Sequence, residues 1–249
     1  MPYEYILYEV KNKIAKITIN RPDALNALNP DVLSEIESSI QTAENDDTVS
    51  VIVLTGAGRA FCAGVDLNYL EDSAGADSGA NLNNAARALQ TAIENVPKVV
   101  IAMVNGFCIT GGLEIALSCD LIIASDEAKF SDSHVRWGLR CTWGMSQRLP
   151  HRVGITKARE LTFTAEMITG KQAEQIGLAN LSVPLEKLDD AVNEMADKIM
   201  ANSLDSVAAH KYLYNQSAKD FMAKGLEREY TTKVDIKDTL DRLTSFAKK

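Results

Sequence analysis

The chain has 249 residues, 46% hydrophobic and 24% charged, with a formal charge of −8 at pH 7. This is enough length and apolar content to bury a large core, and it excludes a disordered or fibrous chain. The acidic balance excludes a nucleic-acid backbone as the main partner, and no apolar run approaches the roughly 18 residues needed to span a bilayer.

From the N-terminus, residues 6–10 and 15–19 are β-rich runs flanking Lys11-Asn12-Lys13, which reads as a hairpin. Asn20-Arg21-Pro22 breaks the second strand. Asn29-Pro30 then supplies a helix N-cap and an N1 proline ahead of Val32, Leu33, Ile36 and Ile40, an apolar stripe at helical spacing that ends near Asn45. The runs 51–54, 99–104 and 121–124 are continuously apolar, as strands covered on both faces are. Helical stretches lie between them, notably 83–94, so the pattern is strand, turn, helix, repeated: an α/β architecture with short parallel strands. Residues 71–82 are small, polar and turn-rich and read as a surface loop, linker or lid. Beyond about residue 185 the strand signal gives way to amphipathic patterns such as Leu188, Ala191, Val192, Met195 and Ile199. These predict a helical appendage that packs on the core or on another subunit.

The four cysteines (Cys62, Cys108, Cys119, Cys141) include no C-x-x-C pair and no histidines at zinc-finger spacing, so neither a metal site nor a disulfide framework is expected. Residues 1–5 carry no basic, apolar leader pattern. A cytoplasmic location and no membrane partner are the expectation.

Two glycine-containing turns follow buried strands: Gly58-Arg59-Ala60-Phe61-Cys62-Ala63-Gly64-Val65-Asp66-Leu67, and Asn105-Gly106-Phe107-Cys108-Ile109-Thr110-Gly111-Gly112-Leu113-Glu114. Small residues let the backbone turn sharply and let a ligand approach its N–H groups. Where such a turn opens a helix, unpaired N–H groups and the helix dipole favour an oxyanion. Two turns flanking one carbonyl would make an oxyanion hole; the same glycines would also serve two tight turns with no ligand. A phosphate-cradling loop is excluded, since neither G-K-[ST] nor G-x-G-x-x-G occurs.

With Ala24-Leu25-Asn26-Ala27-Leu28, both glycine turns, Gln147-Arg148-Leu149 and Gly154, the sequence resembles the enoyl-CoA hydratase/isomerase (crotonase) superfamily over essentially its whole length. The resemblance implies a spiral of repeated ββα units over residues 1–190 carrying the thioester site. It also implies a helical trimerisation region over 191–249, with assembly as a homotrimer or homohexamer. It implies no tightly bound cofactor, coenzyme A arriving as part of an acyl-CoA substrate, and an oxyanion hole from the N–H groups of Val65 and Gly111. Ala63, Asp66 and Leu67 fall where relatives bind the CoA adenine, and Arg59 where a phosphate-pairing cation is common, whereas Asp23 and Asn68 stand where lysines are common. Hydratases of the family use two glutamates: Glu114 matches the first, and His134 stands at the position of the second. Thr142 also replaces a usual glycine. An imidazole and a carboxylate can share proton transfer as two carboxylates do, because histidine titrates closest to neutral pH. The implied reaction is hydration of a 2-enoyl-CoA. Isomerisation, hydrolytic C–C cleavage of a β-dicarbonyl, and a catalytically silent CoA-binding scaffold are the alternatives. His151 and His210 are expected to be structural.

Overall fold

Val51, Val53, Val99, Ile101 and Met103 point to one side of the main sheet, while Ile52, Leu54, Val100, Ala102 and Val104 point to the other. This two-residue alternation is why an unbroken apolar run suits a strand buried on both faces. In the computed structural model, which describes residues 3–67, 69, 76–231 and 244, these residues form β3 (Val51–Gly56) and β5 (Val99–Val104). They are central in a six-stranded sheet of order β1-β2-β3-β5-β7-β10. β1 (Ile6–Lys11) and β2 (Ile14–Ile19) make the expected antiparallel hairpin. Asn12 and Lys13 take left-handed φ values of 51° and 63°, as a two-residue hairpin loop requires. From β2 through β3, β5, β7 (Leu121–Ser125) and β10 (Leu181–Val183), every pairing is parallel.

Each repeat sends its first strand to this sheet and its second to a smaller one. β4 (Ala60–Cys62), β6 (Phe107–Ile109), β8 (Lys129–Ser131) and β9 (Ile168–Thr169) form that four-stranded sheet. The units β3-β4-α2 and β5-β6-α3, with α2 at Ala76–Asn95 and α3 at Gly111–Ser118, therefore place their strand-to-helix turns side by side. This is the ββα spiral that the resemblance implies.

Helix α1 (Pro30–Glu44) begins as expected: the Asn29 side chain accepts from the Val32 N–H at 2.9 Å, and Val32, Leu33, Ile36 and Ile40 are buried. The loop expected over 71–82 is corrected from residue 76 onward, because α2 starts at Ala76 and Leu82 is buried in the core. Residues 76–81 are polar enough to read as a loop, but they continue the helix whose apolar face is Leu82, Ala86, Leu89 and Ile93. The remainder of that loop, 71–75, and Asn68 lie outside the described residues.

After β8 come α4 (Met145–Val153) and α5 (Ile155–Thr164), and α6 (Gly170–Gln175) lies between β9 and β10. Then α7 (Leu188–Met200) lays Leu188, Val192 and Ala196 on the outer face of the main sheet, against Val51, Val53, Ile101 and Ile123. α8 (Leu204–Thr231) returns towards the start of α4. Among the described residues no helix is long and apolar enough to cross a membrane.

Candidate functional site

The two glycine turns are pressed together. A Cβ on Gly112 would sit 2.3 Å from the Cys62 carbonyl oxygen, and one on Gly64, whose φ is +104°, would sit 2.2 Å from Thr110 Oγ1. Only glycine fits this approach, which follows from β4 and β6 pairing in parallel with Cys62 opposite Cys108.

Val65 forms a parallel bridge with Leu28: the Leu28 N–H donates to Gly64 O at 2.8 Å, and the Asp66 N–H donates to Leu28 O at 2.8 Å. In that pattern the N–H of Val65 faces away from Leu28, and it has no acceptor among the described residues. The N–H of Gly111, first residue of α3, likewise has none, as the first turn of a helix dictates. Thr110 ahead of it takes φ 45°, a left-handed value that costs a residue with a Cβ and is fastened by its N–H bond to Ser131 O at 2.9 Å. The Trp143 ring packs on Gly111, where a Cβ would lie 2.7 Å from Cζ3. Trp143 is held in turn by its indole N–H to Asn83 Oδ1 at 2.7 Å, and its carbonyl accepts from Gln90 Nε2 at 2.6 Å and Arg148 Nη1 at 2.9 Å.

Glu114 lies one turn into α3 and is 2% exposed. Its Oε1 accepts from the N–H groups of Trp143 at 3.0 Å and Met145 at 3.2 Å. Its Oε2 faces His134 Nε2 at 3.7 Å, too long for a direct hydrogen bond. Burial pushes the Glu114 carboxyl up to about 7, with the charge of Glu229 adding to the effect and His134 and the two amides opposing it.

His134 opens a 3₁₀ turn, His134–Trp137, after β8. Its Nδ1 is 2.6 Å from Asp132 Oδ1, and Asp132 Oδ2 accepts from Thr162 Oγ1 at 2.7 Å. Burial would raise the Asp132 carboxyl, but the histidine and the threonine outweigh it and hold it below the usual carboxylate range. An ionised carboxylate only accepts, so Nδ1 carries the proton and Nε2 is the atom turned to Glu114. Burial pulls the imidazole down. The bond to Asp132 and the nearby carboxylates outweigh it, and His134 binds its proton more tightly than a free histidine.

The structure therefore brings Glu114 and His134 face to face. Asp66 is buried, with its carboxylate paired to Arg21 Nη2 at 2.8 Å, while Arg21 Nη1 donates to Ala27 O at 2.6 Å. Asn26, also buried, donates to the carbonyls of Ala57 at 2.9 Å and Ala60 at 2.7 Å, tying the 20–28 segment to the first glycine turn. Ala63 and Leu67 are half-buried on either side of Val65, and Arg59 and Asp23 are exposed. His151 and His210 are exposed and apart from this cluster; His210 Nδ1 donates to Ser206 O at 2.8 Å. Sequence reasoning missed Asp132, Trp143, Gln90 and Glu229. Only Asp132 carried a local signal, two residues before the histidine it supports.

A buried carboxylate facing an imidazole, beside two N–H groups that have no acceptor among the described residues, on abutting glycine turns of a ββα spiral, is an arrangement able to hold a polar ligand group and to pass protons beside it. The enoyl-CoA hydratase/isomerase profile matches residues 9–248. A short-chain-enoyl-CoA hydratase from Clostridium acetobutylicum is 36% identical over 253 residues, covering 100% of this chain and 97% of the relative. A crotonyl-CoA hydratase from Syntrophomonas wolfei is 33% identical, covering 100% and 97%. Among solved structures, an enoyl-CoA hydratase/isomerase from Xanthobacter autotrophicus Py2 superposes with a TM-score of 0.90 at 30% identity, covering 99% of this chain and 93% of that one. The chain belongs to the enoyl-CoA hydratase/isomerase family, within the crotonase superfamily.

Proposed function

We propose that this protein adds water across the double bond of a 2-enoyl-CoA. The observation that carries the reading is the pairing of Glu114 Oε2 with His134 Nε2 across 3.7 Å, each anchored from behind, so that a single water can touch both. The thioester oxygen accepts from the N–H groups of Val65 and Gly111. Charge that develops on that oxygen as the enolate forms then meets two donors that need no rearrangement. One of the two groups takes a proton from water as its oxygen bonds to Cβ, and the other delivers a proton to Cα. A carboxyl pushed up to about 7 opposite a histidine held above its usual value leaves the pair holding one proton near neutrality, so an acid and a base are present together.

Ala63, Asp66 and Leu67 border the CoA adenine in this reading, and Arg59 meets the phosphates. Asp66 contributes through its main chain, because its carboxylate is engaged by Arg21. The four unpaired thiols support a reducing, cytoplasmic location, and coenzyme A enters only as part of the substrate. The names of the relatives support hydration over the alternatives, and assembly as a trimer or hexamer rests on the family resemblance. Asp132 behind His134 favours one second reading: a carboxylate-backed imidazole activates water well, which would serve hydrolytic cleavage of a β-dicarbonyl thioester.

Incubation with crotonyl-CoA decides between them. The expected outcome is loss of the conjugated-enoyl absorbance with formation of 3-hydroxybutyryl-CoA, identified by mass spectrometry. Cleavage of a β-ketoacyl-CoA without hydration of crotonyl-CoA would assign the second reading, double-bond migration in a 3-enoyl-CoA would assign isomerisation, and binding with no product from any of these would leave a scaffold.

A further inference from the structure

Residues 143–146 donate their four main-chain N–H groups alternately to two carboxylates from different helices. Trp143 and Met145 donate to Glu114 Oε1. Gly144 donates to Glu229 Oε1 at 2.6 Å, and Ser146 to Glu229 Oε2 at 3.1 Å, where the Ser146 hydroxyl joins it. Trp143 and Gly144 form a bend and Met145 and Ser146 open α4, so none of these four N–H groups has an intrahelical acceptor and each is turned to one of the two carboxylates. Gly144 takes φ +93° at this point, and a Cβ there would sit 1.9 Å from Arg148 Nη1. Glu229 arrives from α8, 115 residues beyond Glu114 in sequence, and is 8% exposed. Its carbonyl oxygen accepts from Arg140 Nη1, and Cys141 Sγ lies 3.4 Å from its Oε2, so Arg140, Cys141, Gly144 and Ser146 are all gathered on this one residue.

Hydrogen bonds to a carboxylate are about twice as strong as those between neutral groups, and four converge on the Glu229 side chain, from the Gly144 and Ser146 N–H groups, the Ser146 hydroxyl and the Cys141 thiol. The segment they fix is the one that aims two donors at Glu114. We infer that Glu229 is a positioning residue for the proposed reaction: from the C-terminal helix it locks segment 143–146, and through that segment it orients Glu114 and brings a second carboxylate close to it.

The inference rests on the role given to Glu114 above. Its electrostatic part follows from the groups that face Glu114. His134, backed by Asp132, favours the charged carboxylate, whereas Glu229 opposes it; Cys141, pushed up by burial and by both carboxylates, stays a neutral thiol, and Arg148 is committed to Glu94 and to the Trp143 carbonyl. The negative charge of Glu229 also raises His134. Glu229→Gln removes this charge and replaces one accepting oxygen by a donor that cannot serve the Ser146 N–H. Glu114 should then lose its proton at lower pH, back toward the ordinary carboxylate range.

The test reads that titration directly. In protein carrying ¹³Cδ-labelled glutamate, the Glu114 signal is assigned by its loss in Glu114→Gln and followed with pH. The expected result is a lower midpoint in Glu229→Gln, accompanied by a fall in kcat of roughly tenfold with little change in KM, and activity limbs moved to lower pH. A midpoint that does not move overturns the inference, even if Glu229→Gln melts at lower temperature, which a merely structural residue would also do. If Glu114→Gln turns over normally, the catalytic role of Glu114 fails, while the NMR midpoint still decides the coupling. If Glu229→Gln does not fold, Glu229→Asp decides: its charge remains but the carboxylate cannot span both N–H groups. Its kcat should fall at constant KM, and parental kcat in that variant overturns the inference.

Discussion

The two ends of helix α3 make a controlled comparison, since each holds buried charge and the N-terminal one also holds main-chain N–H groups with no acceptor among the described residues. At the N-terminal end, Glu114 is buried with its acidity weakened, His134 stands 3.7 Å away without a direct bond, and the Gly111 N–H has no acceptor among the described residues. At the C-terminal end lies a cavity of about 850 Å³, lined by Leu117, Asp120, Arg152, Val207 and Lys211 among others. It is roomy, yet its charges are settled. Lys211 Nζ donates to Asp120 Oδ2 at 2.7 Å and to the carbonyls of Ile93 and Lys98, and Asp120 Oδ2 also accepts from the Val100 N–H at 2.8 Å. Arg152 donates to the Cys119 carbonyl at 2.9 Å. Volume alone does not mark a reactive site. The candidate site is marked instead by unspent hydrogen-bonding capacity beside a carboxyl whose proton affinity burial raises.

The largest effect should come from the reactive end. Glu114→Gln keeps the side chain's shape, and its oxygen still accepts from the Trp143 and Met145 N–H groups, but the proton acceptor is gone. Turnover of crotonyl-CoA should drop by on the order of 10²-fold or more with thioester affinity nearly intact, measured by steady-state kinetics and calorimetric binding. Parental turnover in this variant would reduce Glu114 to a structural residue and erase the contrast between the two ends.

A smaller effect, roughly tenfold in kcat, is expected for Asp132→Asn, which leaves an oxygen to orient the imidazole but removes the charge behind it. The sign of its pH effect follows from the shared proton. Activity of the parent falls at low pH, where both Glu114 and His134 are protonated and no base remains, and at high pH, where both are deprotonated and no acid remains. Without Asp132 the imidazole loses its proton earlier, so the high-pH limb should move to lower pH. A pH profile that keeps its limbs while kcat falls would show that Asp132 supports geometry alone.

The same contrast explains what could be read from the sequence. Local patterns gave the hairpin of β1 and β2, the Asn29-capped α1 and the two-faced apolar strands, since each depends on neighbours within a few residues. The polar start of α2 misled because it follows turn-rich residues, and propensity yields to the packing of Leu82, Ala86 and Leu89 farther along the helix. In the candidate site, Glu114 and His134 were legible as a family motif with one departure. That departure became intelligible only with Asp132 seated 2.6 Å behind the imidazole. Glu229 had no signal to offer: a glutamate in an amphipathic helix looks like any solvated one until the fold turns it under segment 143–146.

The smallest effect on chemistry should come from the C-terminal end of α3, together with a clear effect on stability. Lys211→Met keeps the length and the apolar stem while removing the ammonium, so Asp120 loses its direct cation and two buried carbonyls lose their donor. Truncating one member of a buried pair leaves a charge without compensation, a loss on the order of 3 kcal/mol, partly recovered by adding Asp120→Asn. Thermal melting should show the loss and the recovery. The turnover of the folded protein and its pH limbs should stay as in the parent, even though Lys211 shares α8 with Glu229. The two are 18 residues apart, about 27 Å along a helix axis, and Glu229 is held by its own bonds to the 140–146 segment. If the pH limbs of Lys211→Met move with those of Glu229→Gln, α8 transmits displacement along its length and the two ends of α3 are coupled. If only the melting temperature moves, the paired charges around the cavity hold the helix in place and the two ends of α3 act independently.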